Sequence, residues 1–576
     1  MQNSAYFARF LTVLSAFLLI CASSFKANAQ GIVAVSPVFF HVDSVKNIIL
    51  INAPIHQLNT ENATGDTLRV LTSGRRSYTF THPVTSLHPA TSYEAQANGS
   101  TYRVFFTQIP IIQFSTKYQI VDTPSVYARM VLTDTTGIVA ATPTGIEFRG
   151  ASSQSYPKKS YELILWADTV GTTEENLSLL GMRTDSKWNL QAMYNDPLRV
   201  RIKVANELWQ NIDQLYYQAQ EPTAKNGIAL AYAEVLINGS YQGIYTLTER
   251  VDKKQLKLKK YANGIKGELY KGIAGLDATV FAYVPPFNNA SEFWGGFQYQ
   301  EPSQVIDWTN LHSFADFVVN SADTTFYAHY KSRFNLENAV DYYLFINLIR
   351  ATDNTGKNAY IAKYNAGEPY YYVPWDLDGV LGDDWTGANA NITNDTMTNG
   401  FFSRLNKDFS ATGFRPALTR KWLTLRTSVV TNAAIMARIN ANVTYLLNND
   451  VYERENLAWP AFQYDAQQVP YAATWLINRI NYLDGIFGTS ALSAGRPAPA
   501  LLAPSLYPNP ATSFVYLDNG ALPCQVTLTD LSGKTVLQAS LVNEAARINV
   551  SNLAKGIYLA TIKNATATTV KKLAVE

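Results

Sequence analysis

The sequence has little charge, few cysteines and scattered histidines, and each shortage excludes a class of protein. Only 16% of its 576 residues are charged and 47% are hydrophobic, which excludes a wholly disordered or coiled-coil chain. The net charge is only +2, from 47 basic and 45 acidic residues, so no nucleic-acid partner is predicted. The two cysteines are too few for a disulfide framework or a four-ligand zinc site. The six histidines show no metal-ligand spacing.

The first 29 residues have the pattern of a secretory signal peptide. Arg9 precedes an apolar run at residues 10–21, and Ala27-Asn28-Ala29 is a small-x-small cleavage site. An uncleaved membrane anchor is the alternative, and the cleavage site argues against it. No later stretch reaches 18 uninterrupted apolar residues, so no transmembrane segment is predicted after residue 29. At the usual domain size, the length predicts roughly three to five domains.

Residues 30–108 have the pattern of a small all-β sandwich. Short apolar runs alternate there with clusters of Asn, Gly, Thr and Pro. Residues 87–93, Leu-His-Pro-Ala-Thr-Ser-Tyr, resemble the corner of fibronectin type III domains. That resemblance implies that the hydroxyl of Tyr93 bonds back to the backbone. A β-rich spacer of another topology is the alternative.

The C-terminal end begins with a linker and continues as short strands. Residues 488–505 are mostly small residues and proline without periodicity. Residues 506–576 include Tyr-Pro-Asn-Pro at 507–510, Gly-Ile-Tyr at 556–558 and the pair Lys571-Lys572. This end resembles the C-terminal sorting domain of type IX secretion. The resemblance implies delivery to the cell surface or the medium, with the secretion machinery as partner. An ordinary adhesive β-sandwich is the alternative.

Residues 109–487 contain the segments that could carry chemistry. Strand patterns dominate the first half, and helical patterns dominate the second half, including a helix apolar around most of its circumference at residues 335–350. A strand-rich lobe followed by a helical lobe predicts a bilobal α+β domain.

The first of these segments is basic. Arg149-Gly150-Ala151-Ser152-Ser153 is a turn whose backbone N–H groups could face phosphate oxygens. Lys158 and Lys159 then lead into a strand, where alternation would send them to opposite faces, so only one could reach a shared ligand. A solvated basic turn on an edge strand is the alternative.

Two acidic segments follow the buried helix. Asp353 and Asn358 have the D-x-x-x-x-N spacing of a kinase catalytic loop, in which Asp accepts the hydroxyl proton and Asn holds a metal ion. The next strand ends in Asp376 and Asp378, which would share a face if extended. Two such close carboxylates repel unless a cation is present, and oxygen ligands suit Mg²⁺. A helix cap and an Asx turn are the alternatives.

A further segment combines a hairpin signal with a basic run. Asn238-Gly239 is typical of a two-residue β-hairpin turn. Glu249 is followed by Arg250, Lys253, Lys254 and three more lysines up to residue 260. Such a run is either a solvated face or a surface for an acidic partner.

Taken in order, these segments resemble the CotH family of secreted, spore-coat-type kinases over about residues 109–480. The resemblance implies that the central α+β, bilobal domain (109–487) is protein-kinase-like. Together with the terminal patterns, this predicts a multidomain chain in which small all-β sandwich domains flank it. The resemblance also implies ATP and Mg²⁺ or Mn²⁺ as cofactors and transfer of phosphate to Ser or Thr of a protein substrate.

The resemblance also implies roles for the residues already named. Asp353 matches the catalytic base, Asn358 a metal ligand and Asp376 the principal metal-binding carboxylate, with Asp378 beside it. Lys158 or Lys159, near Arg149, matches the phosphate-binding lysine, and Glu249 lies near the adenine hinge. Glu207 is our prediction for the carboxylate that pairs with the lysine. The chain lacks G-x-G-x-x-G, D-F-G and A-P-E motifs and has no His-Arg before Asp353, so regulation through an activation loop is not implied.

Two functions follow from these patterns. The first is an exported ATP- and metal-dependent protein kinase; the second is a catalytically silent, kinase-like surface protein with a structural or adhesive role. A serine hydrolase is disfavoured because only His312 and His329 lie in the central segment, remote in sequence from every acidic motif. The phosphate acceptor, the preferred metal and the oligomeric state do not follow from the sequence.

Overall fold

The computed structural model describes residues 31–61, 67–488, 504–518, 522–542, 547–564 and 568–576. The predicted signal peptide and most of the predicted linker lie outside these ranges. The chain forms two compact units. The first contains residues up to 186, 232–245 and 445–463, and the second contains residues 187–231, 246–444 and 464–576.

The N-terminal region of the first unit is one seven-stranded sheet with a short helix, α1 (Ile55–Glu61). Its strands are β1 (Gly31–Ala34), β2 (Phe40–Asp43), β3 (Ile48–Ile51), β4 (Leu68–Ser73), β5 (Arg76–Val84), β6 (Ser92–Ala97) and β7 (Ser100–Phe106). They hydrogen-bond in the order β1-β4-β5-β6-β7-β3-β2, with β1·β4 and β3·β7 parallel. A two-sheet sandwich over residues 30–108 stays a prediction.

The tyrosine corner implied by residues 87–93 is confirmed. The hydroxyl of Tyr93 donates to the carbonyl of Ser86 at 3.1 Å and accepts from the N–H of His88 at 2.8 Å. The ring packs edge-on against Phe80 and Phe106. The hydroxyl thereby satisfies two backbone groups of a loop that forms no ladder bonds of its own.

Fourteen strands and nine helices are described between residues 111 and 487. The strands are β8 (Ile111–Ser115), β9 (Val126–Asp134), β10 (Gly137–Arg149), β11 (Ser160–Leu165), β12 (Leu177–Ser178), β13 (Thr184–Asp185), β14 (Lys187–Gln191), β15 (Leu230–Ile237), β16 (Ser240–Thr248), β17 (Glu268–Gly272), β18 (Phe293–Trp294), β19 (Phe297–Glu301), β20 (Ala359–Lys363) and β21 (Tyr370–Pro374). The helices are α2 (Arg201–Ile212), α3 (Thr309–Asn320), α4 (Asp323–Arg333), α5 (Leu336–Ile349), α6 (Gly400–Leu405), α7 (Phe414–Arg426), α8 (Asn432–Leu447), α9 (Val451–Ala458) and α10 (Gln468–Phe487).

The central strands of the first unit form an antiparallel run that ends in a parallel pair. β10 pairs with β9 and β11, β9 pairs with β8, and β8 runs parallel to β15. Asn238, at φ +50°, and Gly239, at φ +79°, connect β15 to β16, as the hairpin signal predicts. A buried cluster joins these strands to the N-terminal sheet and α9; its members are Ile48, Leu50, Phe105, Ile111, Leu236, Tyr241 and Ala458.

The second unit is built around a five-stranded sheet and a buried helix. The strand order is β18-β19-β17-β20-β21, all antiparallel. Helix α5 contacts β21, α2, α7 and α10, and all its residues from Asn338 to Ile349 are buried. The side chain of Asn335 caps its first turn by accepting from the N–H of Asn338, and Arg350 ends it at φ +56°. This confirms the buried helix predicted at residues 335–350.

The C-terminal residues form two small sheets over one apolar core. The strands are β22 (Ser505–Tyr507), β23 (Phe514–Asp518), β24 (Cys524–Thr529), β25 (Thr535–Leu541), β26 (Arg547–Asn549), β27 (Gly556–Lys563) and β28 (Thr568–Val575). One sheet has the order β22-β23-β26 and the other β25-β24-β27-β28, and side chains of both enter one core. This arrangement fits the β-domain predicted for residues 506–576.

The sequence patterns located about half of the elements of the central segment. The elements that were not predicted are helices α3, α4, α6 and α9 and strands β8, β10, β12, β13, β14, β17, β18 and β19. Within the described ranges, no helix combines the length and the apolar character that a membrane span requires.

Candidate functional site

The two predicted acidic segments meet at one end of the β20–β21 hairpin, in the second unit. Ala359 pairs with Pro374 at the end of the ladder, and the N–H of Trp375 donates to the carbonyl of Asn358 at 3.0 Å. The side-chain amide of Asn354 donates to the carbonyls of both Asn358 and Trp375, at 2.6 and 2.9 Å. This buried amide therefore fixes the loop that contains Asp353 against the end of the strand that precedes Asp376.

Both Asn358 and Asp376 adopt left-handed backbone conformations, at φ +56° and +51°. Short polar side chains such as Asn and Asp tolerate this region better than other non-glycine residues. The expectation that Asp376 and Asp378 share one face of an extended strand is wrong, because β21 ends at Pro374 and the chain turns at Asp376.

The acids nevertheless lie close enough to one another to interact electrostatically, with Lys357 among them. The Nζ atom of Lys357 is 3.1 Å from Oδ2 of Asp353, and both side chains are nearly half exposed. Desolvation lowers the pKa of Lys357, but attraction from Asp353, Asp376 and Asp378 more than compensates, so the pKa is raised. Three carboxylates and one ammonium group give this cluster an excess of negative charge.

The pKa of Asp378 reflects that excess. It is raised to about 8, first by desolvation and then by repulsion from Asp376 and Asp353, while Lys357 opposes the rise. Because Asp378 is one of the exposed residues of the loop, water weakens the effect of desolvation, and repulsion from Asp376 and Asp353 keeps the pKa raised.

The donor set fits a hard divalent cation that also binds substrate oxygens. Among the described residues, no three His, Cys, Asp or Glu side chains form a metal-binding group by themselves. Carboxylate and amide oxygens of Asp376, Asp378 and Asn358 are nonetheless ligands that Mg²⁺ and Mn²⁺ accept. Mg²⁺ in particular is usually held by one or two carboxylates together with phosphate oxygens and water.

Two arginines bind Asp395 and so connect the segments that precede and follow this cluster. Arg350, three residues before Asp353, donates to both carboxylate oxygens of Asp395 at 2.8–3.1 Å. Arg479, fully buried on α10, donates to Oδ1 and to the backbone carbonyl of Asp395, at 3.1 and 2.7 Å. Such planar, paired hydrogen bonds fix orientation as well as distance.

The predicted phosphate-binding lysines lie in the first unit, and each is held by protein groups. Lys158 is buried just before β11, where it forms an ion pair with Glu455 of α9 and donates to the carbonyl of Ile244 at 2.6 Å. Its Nζ lies 4.7 Å from the ring centre of Tyr245. Lys159 instead curls back to the carbonyls of Gln154 and Tyr156, both at 2.6 Å.

The carboxylate partner of Lys158 was predicted wrongly. Glu207 forms an ion pair with Lys203 one turn earlier on α2, and the partner is Glu455. The sequence signal for Glu455 is indirect: Gly243, at φ +90°, leaves room for it, because a Cβ there would lie 2.7 Å from its Oε1. Arg149 ends β10 opposite Ser160, at the start of the predicted basic turn.

Glu249 is buried and tied to the backbone. Its Oε2 accepts from the N–H of Ala229 at 3.0 Å, and its Oε1 lies 3.6 Å from the Nζ of Lys225. In the basic run that follows, Lys253 pairs with Glu301 at 2.8 Å and Lys259 pairs with Glu221 at 2.9 Å. Part of the run is therefore neutralised within the second unit.

A separate cavity of about 410 Å³ lies against α10. It is lined by Asn391, Gln467, Pro470, Tyr471, Thr474 and Trp475. Because none of these side chains is charged at neutral pH, the cavity does not suit a triphosphate.

Comparison with known proteins identifies two parts of the chain. The family described as CotH kinase protein matches residues 146–483, which is more than half of the chain. The family described as secretion system C-terminal sorting domain matches residues 505–576. No curated protein matches the sequence. The chain therefore belongs to the CotH kinase protein family, and its sorting domain directs it through type IX secretion to the cell surface or the extracellular space.

Proposed function

We propose that this chain is an exported protein kinase that transfers the γ-phosphate of ATP to Ser or Thr of a surface or extracellular protein. One observation carries the proposal. Asp353, Asp376 and Asp378 interact electrostatically around Lys357, and Asn358 is fixed beside them by strand register. Phosphoryl transfer needs this chemistry, a base for the hydroxyl and oxygen ligands for cations that neutralise spreading charge.

In the proposed reaction the hydroxyl oxygen of the acceptor attacks the γ-phosphorus while the bond to the β-phosphate oxygen breaks and ADP leaves. Asp353 takes the hydroxyl proton, and its exposed carboxylate is accessible to an acceptor. Asp376, Asp378 and Asn358 would hold Mg²⁺ or Mn²⁺. The bound ion would supply positive charge that stabilises and orients the phosphate oxygens.

The remaining predicted residues would position the nucleotide. We propose that Lys158, paired with Glu455, is the lysine that positions the phosphates. Lys159 and Arg149 would shape the adjoining turn. We propose that Glu249 lies near the hinge that would contact adenine. We further propose the domain boundaries 1–29, 30–108, 109–487, 488–505 and 506–576, with a kinase-like, two-lobed central domain between β-domains.

The test is transfer of labelled γ-phosphate to dephosphorylated casein or to the chain itself, with Mg²⁺ or Mn²⁺. Asp353→Asn and Asp376→Asn should each reduce transfer at least a hundredfold, since base catalysis and charge stabilisation contribute about that much or more. Asn keeps the left-handed backbone of residue 376 accessible, so the fold should survive. Asp316→Asn, an exposed carboxylate on α3, is the matched control. Equal labelling by wild type and both site variants would contradict the proposal.

The alternative function is a silent, kinase-like surface protein with a structural or adhesive role. It is favoured by the absence, among the described residues, of a metal group built from three acidic or histidine side chains. The two functions differ in nucleotide binding. ATP with Mn²⁺ at a hundred times its dissociation constant should stabilise a binding protein by about 2.7 kcal/mol, whereas the melting temperature of a silent protein should not change.

A further inference from the structure

Trp385 is an exposed aromatic side chain in the segment that follows the acidic cluster. Its exposed fraction is 55%, although tryptophan is among the side chains that gain most from burial. It lies in the second unit, like Asp353, Asp376 and Asp378. Single exposed apolar residues are common, so exposure by itself implies nothing; what distinguishes Trp385 is how its turn is built and where it lies.

The turn that presents Trp385 is held by many hydrogen bonds. One oxygen of Asp384 accepts from the N–H and hydroxyl of Thr386, at 2.8 and 2.6 Å, and from the N–H of Ala388 at 3.2 Å. The side-chain amide of Asn195 donates to the carbonyl of Trp385 at 2.6 Å. The indole is therefore presented by a fixed scaffold.

Glycine is required at two places for this turn to pack. Gly387, at φ +84°, lies so close to the backbone of Asn195 that a Cβ would be 1.9 Å from its carbonyl oxygen. Gly379, at φ +60°, lies against Trp385 itself, because a Cβ there would be 2.6 Å from the backbone nitrogen of Trp385. Gly379 directly follows Asp378, so the tryptophan backbone is in contact with the residue next to the acidic cluster.

We propose that Trp385 is a docking residue for the polypeptide acceptor and that it binds an apolar or aromatic side chain of that polypeptide. This inference rests on the proposed function, since it names the class of acceptor for the same site. Tryptophan is among the residues most often responsible for binding energy at protein interfaces.

The spacing on the acceptor can be estimated from the geometry. Consecutive Cα atoms are about 3.8 Å apart, and the backbones of Gly379 and Trp385 are in contact. The indole therefore begins within roughly 10 Å of Asp378. An extended polypeptide spans about 3.3 Å per residue, so the apolar side chain should lie within about two to four residues of the phosphorylated Ser or Thr.

Peptides of glycine and alanine with one Ser and one Phe test this inference. The Phe is placed either three or eight residues from the Ser. We expect the wild type to phosphorylate the first peptide with a KM about five- to tenfold lower than the second. Trp385→Ala should remove that preference while leaving kcat and the KM for ATP unchanged, and Trp385→Phe should retain most of it. Phe409→Ala, whose side chain is 59% exposed in the same unit, is the matched control.

Fluorescence anisotropy with the labelled peptide makes the inference independent of turnover. Weaker peptide binding by Trp385→Ala than by wild type supports docking even if no phosphate is transferred, in which case only the proposed function fails. Equal binding and equal KM for wild type and Trp385→Ala would overturn the inference. A raised KM for ATP with an unchanged peptide KM would also overturn it, because Trp385 would then contact the nucleotide.

Discussion

Replacing Gly243 with alanine is expected to open the buried ion pair of Lys158 and Glu455. Gly243 lies on β16 at φ +90°, and the carboxylate of Glu455 occupies the space that a side chain would need. A Cβ would lie 2.7 Å from Oε1 and 3.0 Å from Cδ of Glu455. That same Oε1 accepts from the N–H of Ile244 at 2.8 Å and pairs with Lys158, so its displacement affects both contacts.

The expected loss has two parts. The left-handed backbone costs a non-glycine residue about 1–2 kcal/mol. Separating a fully buried pair leaves an uncompensated charge, which costs about 3–5 kcal/mol when one partner is removed. Together they predict that Gly243→Ala lowers the free energy of unfolding by about 4–7 kcal/mol, a large share of the stability of a typical domain.

The matched control is Gly239→Ala in the same hairpin. Gly239 has φ +79°, and its nearest neighbour to a new Cβ would be the carbonyl oxygen of Val42 at 3.7 Å, an ordinary contact. This variant carries the backbone strain without the collision, so it should lose only about 1–2 kcal/mol. Urea unfolding followed by tryptophan fluorescence measures both variants under one set of conditions.

A double-mutant cycle separates the ion pair from the collision. Lys158→Met and Glu455→Met should each be strongly destabilising, and the double variant should be more stable than their sum predicts, because neither charge is left alone. Equal losses for Gly243→Ala and Gly239→Ala would refute the reasoning. Additive losses in the cycle would show that Lys158 and Glu455 do not stabilise each other.

Two further predictions concern other buried polar groups. His41 is buried in the N-terminal sheet, and desolvation lowers its pKa from 6.5 to about 4. As the pH falls, His41 of the unfolded chain binds its proton at a higher pH than His41 of the folded chain. The free energy of unfolding should therefore fall by about 3 kcal/mol between pH 6.5 and pH 4. Urea titrations should show this loss in the wild type and in the control His329→Gln, whose histidine is exposed, but not in His41→Gln. The same loss in His41→Gln would contradict the prediction. Asn354→Ala leaves the carbonyls of Asn358 and Trp375 without their shared donor, so it should cost about 2–4 kcal/mol of stability. The same variant should slow phosphate transfer, and an unchanged rate with lowered stability would show that Asn354 supports the fold alone.

The elements of the acidic site were predictable because each has a strong local pattern. Residues 335–350 are apolar around much of the helix circumference, which indicates a buried helix, and the apolar strand pattern that precedes Asp376 corresponds to β21. The hairpin of β20 and β21 brings the two acidic segments together by register alone. Local periodicity and chain order therefore sufficed to group Asp353, Asn358, Asp376 and Asp378.

The partner of Lys158 was not predictable in the same way. Glu455 is 297 residues away in the sequence and lies on α9, a helix of only eight residues whose pattern is weakly amphipathic. Glu207, the partner predicted from the sequence, lies on α2 and pairs there with Lys203 one turn away. Periodicity describes which face of an element is buried; it does not describe which distant element covers that face.

The prediction that Asp376 and Asp378 share one face of an extended strand was wrong because the strand ends before both residues. An extended chain would have placed both carboxylates on one face, whereas β21 ends at Pro374 and the backbone at Asp376 is left-handed. Neutral hydrogen bonds from Asn354 and the strand register keep the acids near one another, and Lys357 offsets part of their charge. A cluster held in this way retains unbalanced negative charge in the folded protein, at a cost that a bound divalent cation would relieve. The backbone conformation of the acids follows from where β21 stops, and a residue pattern locates such an end only to within about one or two residues.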